Sequence, residues 1–193
     1  MDDKTSWTPG PEDNKLGLSD KNLINELEAK GIAAAELFIF GLDSDNPISS
    51  QILLEIHKIA FSELYEWAAM WRTNQVVVGQ LTPPDPVQVL QFMYQFIDNL
   101  NFKAGIATNF QDHLDTLTFA HYEFVRIHSF NNGNGRTGRI LMNLVALKFG
   151  YRPLELYHRE GDDRKIYIDA MKSADKSDFG TLTNLIGKEL TTF

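Results

Sequence analysis

The segment His128-Ser129-Phe130-Asn131-Asn132-Gly133-Asn134-Gly135-Arg136-Thr137-Gly138-Arg139 decides how the rest of this chain is read. Two glycines flank an asparagine just before an apolar run, Ile140, Leu141, Leu144, Val145 and Leu147, that keeps helical spacing as far as Phe149-Gly150. A glycine turn entering a helix exposes consecutive backbone N–H groups, and the helix leaves its own first N–H groups without intrahelical acceptors. The helix dipole adds partial positive charge at the same end. The segment therefore predicts an anion pocket built from main chain. Arg136 and Arg139 lie three apart, a spacing that projects both from one side of the first turn toward one anion of di- or triphosphate size. His128 closes the preceding helical pattern at the mouth of the pocket, where an imidazole can take a proton from an incoming hydroxyl. Asn132 offers a hard carbonyl oxygen of the kind Mg2+ accepts beside phosphate oxygens. Phe130, apolar within a polar loop, reads as an inward anchor.

Each feature alone is common; their joint occurrence carries the argument. The segment is not a P-loop, which needs G-x-x-x-x-G-K-(S/T) after a strand, and it holds no H-E-x-x-H zinc pattern. His121 and His128 are seven apart, about two helical turns, too far to share a metal on one straight helix. His57, His113, His121 and His158 read as packed or surface residues.

Outward from the segment the pattern is helical. Upstream, a helix is expected from about Gln111 to Ile127, another from about Asp85 to Leu100, and another from a Ser49 or Ser50 cap to about Met70. A helical stretch capped by Ser19 or Asp20 carries Leu23, Leu27, Ile32 and Leu37 as its apolar stripe, and Gly31 leaves one helix or two equally open. Downstream, helices are expected over about Arg164 to Ala174 and Phe179 to Leu190. The period changes only at Thr73-Asn74-Gln75-Val76-Val77-Val78-Gly79, a β-branched run closed by Gly and followed by Pro83, Pro84 and Pro86, which reads as a hairpin or flap. The fold class is all-α, a helical bundle with a small β-hairpin flap. Residues 1–48 read as a lead-in and helical segment, and 49–193 as the main domain.

The chain has 193 residues, enough for one sizeable core, and 43% of them are hydrophobic, which excludes a disordered chain. Its formal charge of −8 disfavours a phosphate backbone, so no nucleic acid is expected as main partner. Without cysteine it has no disulfide, thiolate metal site or thiol nucleophile. No apolar run resembles a signal peptide or a membrane span, so a cytoplasmic protein without membrane contact is expected.

The segment resembles the Fic signature, H-x-F-x-(D/E/N)-G-N-G-R-x-x-R, at His128, Phe130, Gly133, Asn134, Gly135, Arg136 and Arg139, and the resemblance extends over about residues 50–190. It implies a Fic-type bundle that moves AMP from ATP, with Mg2+, onto a Ser, Thr or Tyr hydroxyl of a target protein. His128 would be the base. Asn134 with the Gly133 and Gly135 amides would hold phosphate oxygens, Arg136 the β-phosphate, Arg139 the γ-phosphate and Asn132 the metal. Thr73, Val76, Val77, Val78 and Gly79 would bind the target as an added strand, and Tyr167 would line the adenine pocket. Two letters depart from the family: Ser129 replaces a proline, and Asn132 an acidic residue. The neutral Asn132 keeps two alternatives open, a Doc-like kinase or other transferase of a phosphate-containing group, and a degenerate binding module. Many members carry an inhibitory helix, (S/T)-x-x-x-E-(G/N), whose Glu pairs with the second motif arginine. No clean match exists here, and Glu28 is the best-placed candidate, beside Glu26 and Glu36. A target protein and an antitoxin-like regulator are the implied partners.

Overall fold

The computed structural model describes residues 13–78, 81–156 and 161–193. Among these, seven helices occur, with no sheet: α1 Lys21–Phe40, α2 Ser50–Phe61, α3 Val89–Ile106, α4 Phe110–Ile127, α5 Asn134–Lys148, α6 Gly161–Ala174 and α7 Gly180–Glu189. A 3-10 turn, Pro86–Gln88, leads into α3.

The reason α5 is central lies in its sequence: Ile140, Leu141, Met142, Leu144, Val145 and Ala146 are all buried, so it is apolar nearly all round and must be enclosed. α4 packs along it, α1 and α2 cover another side, α3 lies on α4, and α7 bridges α4 and α6. No helix among the described residues is long and apolar enough to cross a membrane.

Two expectations need correction. α1 is one continuous helix, capped by the Asp20 side chain on the Asn22 N–H. Gly31 does not break it because the glycine is where α2 comes closest: a Cβ there would lie 2.2 Å from the Ala60 carbonyl oxygen. The stripe that packs is Ile24, Glu28, Ala35 and Ile39, while Leu23 and Leu37 face out. α2, capped by Ser49, ends at Phe61, short of the expected Met70. Beyond it the chain turns, with Ala69 in left-handed backbone at φ 58°, and its N–H is taken by a side chain of α2 (His57).

The flap is a minimal hairpin in which Val78 and Leu81 exchange both backbone hydrogen bonds at 3.0 Å. Gly79 lies outside the described residues, as does His158. Val76 is buried; Val77 and Val78 are exposed.

Candidate functional site

α4 ends at Ile127, and His128 follows it with φ 52° and ψ 57°. Left-handed backbone at a non-glycine residue costs about 1 kcal/mol or more, so neighbouring groups must hold it. Arg72 does so. Its guanidinium, 1% exposed, donates from Nε to the His128 carbonyl at 2.6 Å, from Nη1 to Asn74 O at 3.0 Å, and from Nη2 to Pro84 O at 2.5 Å and Ile127 O at 3.5 Å. The Arg72 N–H also donates to Ser129 O at 2.9 Å, and Trp71 forms an isolated bridge with Phe130.

The loop after His128 is braced at each step. The Phe130 ring is fully buried and stacks on His57 (centroids 3.6 Å apart) and on Trp71 (4.8 Å). The Asn134 side chain closes the loop: its Oδ1 accepts from Phe130 N–H at 2.9 Å, and its Nδ2 donates to Phe130 O at 2.8 Å. His57 is buried, and its tautomer follows from its neighbours. The Ala69 N–H can only donate, so it meets a bare Nδ1 at 2.8 Å, and the protonated Nε2 donates to Asn132 O at 3.1 Å. Gly133, at φ 80°, is required twice over: a Cβ would lie 2.6 Å from the Phe61 ring and 3.1 Å from His57 Nε2.

The same logic fixes His128. Val125 O can only accept, so Nδ1 carries the proton across the 3.3 Å contact and Nε2 keeps its lone pair. Burial lowers the His128 pKa to about 4; the Val125 bond opposes this and the Arg72 charge adds to it. The ring is thus a neutral acceptor at physiological pH.

The anion end of α5 is narrower than the sequence suggests. Its N-cap, Gly133, has its N–H taken by Asn132 Oδ1 at 2.7 Å. The Asn134 amide is occupied with Phe130, so what this residue offers an anion is its backbone N–H. Helix geometry leaves the N–H groups of Asn134, Gly135 and Arg136 without intrahelical acceptors, and no side chain caps them.

The two arginines do not simply converge. Arg136 Nη1 donates to Glu28 Oε2 at 2.7 Å, and its guanidinium lies 4.5 Å over the Phe61 ring. The other Glu28 oxygen accepts from the Tyr65 hydroxyl at 2.7 Å. Glu28 therefore meets the first motif arginine, not the second as expected. Burial raises the pKa of Glu36, which the Arg139 charge opposes, and burial lowers that of His121, to which the Arg139 charge adds. Glu28 and Glu36 are eight residues apart, about 12 Å along α1. Tyr167 is buried, with its hydroxyl 2.8 Å from His121 Nε2, and borders a shallow hollow with Glu155, Leu156, Asp163 and Ile166. No cluster of three His, Asp or Glu side chains suited to a metal occurs among the described residues. Sequence reasoning missed His57 and Arg72; neither lies in the motif, and only the fold brings them to it.

Comparison with known proteins identifies the family and the fold. Residues 47–146, slightly more than half of the chain, match the Fic/DOC family. Protein adenylyltransferase fic-1 of Caenorhabditis briggsae is 37% identical over 111 residues, 56% of this chain but 21% of that protein. The solved structure of Fic-1 (aa134–508) from C. elegans superposes with a TM-score of 0.74 at 26% identity, covering 89% of this chain and 50% of that one. A Bartonella quintana Fic domain with bound ADP shares the fold at a TM-score of 0.73 and 17% identity, over 98% of this chain and 93% of that one. The chain thus spans about a fifth of the curated relative and half of the C. elegans fragment.

Proposed function

This chain belongs to the Fic/DOC family, and from that premise we propose that it transfers AMP from ATP to a hydroxyl of a target protein. The observation that carries the reading is His128: its Nδ1 proton is committed to Val125 O, which leaves Nε2 as a neutral base directly before the amide-lined start of α5. The name of the C. briggsae relative supports the same activity.

In the proposed reaction, Nε2 of His128 takes the proton of the target hydroxyl as its oxygen attacks the α-phosphorus of ATP. An oxygen–phosphorus bond forms to the target, the bond to the β-phosphate breaks, and pyrophosphate leaves. The backbone amides of Asn134, Gly135 and Arg136, with the helix dipole, stabilise phosphate charge as it moves. Arg139 would meet the γ-phosphate. Tyr167 would border the adenine. The hairpin at Thr73, Val76, Val77, Val78 and Gly79 would receive the target as an extended strand, with exposed Val77 and Val78 in contact and buried Val76 as their support. Asn132 Oδ1 accepts from the Gly133 N–H, and this hard carbonyl oxygen would serve as a single ligand of a Mg2+ brought in by the triphosphate. That ion would neutralise phosphate charge. The cytoplasm, an antitoxin-like regulator and a role confined to target and nucleotide without nucleic acid or membrane belong to the same proposal.

Glu28 enters it as a restraint. Its carboxylate occupies the guanidinium assigned to the β-phosphate and places negative charge beside the anion site. Glu28→Gln should raise self-modification several-fold, read by intact-mass spectrometry; an unchanged or lower rate removes the restraint.

The test of the main reading is incubation with ATP labelled at the α- or the γ-phosphate. Label retained from the α position on target or enzyme supports AMP transfer. Retention from γ alone supports the Doc-like kinase, and absence of Mg-ATP binding by calorimetry supports a degenerate binding module, the alternative that the neutral Asn132 favours.

A further inference from the structure

Arg72 stands outside the motif, yet it touches both halves of the site. Buried arginines usually meet carboxylates, but this guanidinium is met by four carbonyl oxygens. Two belong to the hairpin stems, Asn74 and Pro84; two belong to the end of α4, Ile127 and His128. The helix end, with its partial negative charge, explains why a cation is tolerated there. The fork is planar and rigid, so a shift of the hairpin stems is passed to the carbonyl of the residue that bears the base.

We propose that Arg72 is a positioning residue that couples the hairpin to His128, holding the imidazole in register with the strand the hairpin receives. This rests on the reading of His128 as the base. Two kinds of contact support it: the side-chain fork, and the Trp71–Phe130 bridge, of which the Arg72 N–H bond to Ser129 O is part; together they fix the stem to the loop on both sides of His128. The Arg72 charge also reaches the ring and helps to keep it neutral, secondary to burial. Asp85 is the charged group acting on Arg72 from the far stem.

Two substitutions separate placement from charge. Arg72→Met removes both, and Arg72→Lys keeps the charge on a group that cannot span the four carbonyls. NMR titration of His128 should move up in Arg72→Met, where a charge that lowers it is lost, and stay near wild type in Arg72→Lys. Both should lower kcat for transfer by about a hundredfold, the scale expected for misplacing a base, with KM for ATP unchanged. Wild-type titration of His128 in a folded Arg72→Met, or full transfer by Arg72→Lys, overturns the proposal. If Arg72→Met does not fold, Arg72→Lys decides alone: reduced kcat at unchanged KM for ATP is required. If the wild-type protein moves no AMP, the titration arm still reads the link from Arg72 to His128, and only the functional reading fails.

Discussion

The loop from His128 to Gly133 and the hairpin from Thr73 to Leu81 lie against each other but are held very differently. In the loop, Arg72, Asn134 and His57 each grip a different backbone carbonyl, and the Phe130 ring is stacked on two partners. Among the described residues of the hairpin, one bridge joins Val78 to Leu81, Arg72 reaches Asn74 O at 3.0 Å, and the Gln75 amide donates to Val76 O at 3.3 Å and Pro83 O at 3.1 Å. On the proposed reading, the base sits in a preorganised frame, and recognition falls to a segment with exposed valines. A base must be placed within a fraction of an ångström, whereas a strand-pairing edge can adapt to its partner.

The largest effect should come from the loop's reacting group. His128→Ala should reduce transfer by about a thousandfold while leaving ATP affinity by calorimetry within error, because the amides of α5 are untouched. Wild-type turnover in that variant would remove His128 from its role.

Next is the frame itself. Gly133→Ala forces a methyl toward Phe61 and His57 in left-handed backbone. It should lower stability by about 2 kcal/mol in urea unfolding and abolish transfer with it. A neutral result would mean that the loop is as adaptable as the hairpin.

Acid should sharpen the contrast. Burial lowers His57, His121 and His128 each to about 4 from 6.5. Between those values the unfolded chain binds protons that the folded chain refuses, so stability is complete above pH 6.5 and is lost as pH falls toward 4. The melting temperature by circular dichroism should fall across that window. Transfer should stay flat for as long as the fold persists, since the base remains neutral. A rate that halves near pH 6.5 would show a ring titrating as if in water.

The smallest effect on the scaffold belongs to the hairpin. Val77 is exposed, and Val77→Asp should change stability by less than about 0.5 kcal/mol while raising KM for the protein target. Loss of stability instead would show that the hairpin is part of the frame.

The motif was legible because its letters encode local geometry: a glycine turn, a helix start and a histidine just before them. The helical pattern was legible too, from period alone, save that Gly31 left one helix or two open where α1 stands. What escaped depended on distant partners. The spacing of α1 favoured Leu23 and Leu37, yet Ile24, Ala35 and Ile39 are buried, because the face that packs is the one carrying Gly31, where α2 comes closest. Apolar spacing carried α2 past Phe61, and nothing local signals that Ala69 turns back to bond His57. The Asn134 amide looked available to phosphate until Phe130 was found to occupy it. Arg72 falls just before the strand-like run at Thr73, and no local pattern marks it as a contact of His128.

Gly31 sits three residues from Glu28 on the same face of α1, and the Ala60 carbonyl fills the space a side chain would need. The missing methyl works as a spacer gauge. It sets how deep the whole rod lies on its neighbour, and so how far a carboxylate one turn away reaches toward Arg136. An alanine here would lift the rod outward and draw that carboxylate back, altering the occupancy of Arg136 from a distance without changing a single residue that touches it.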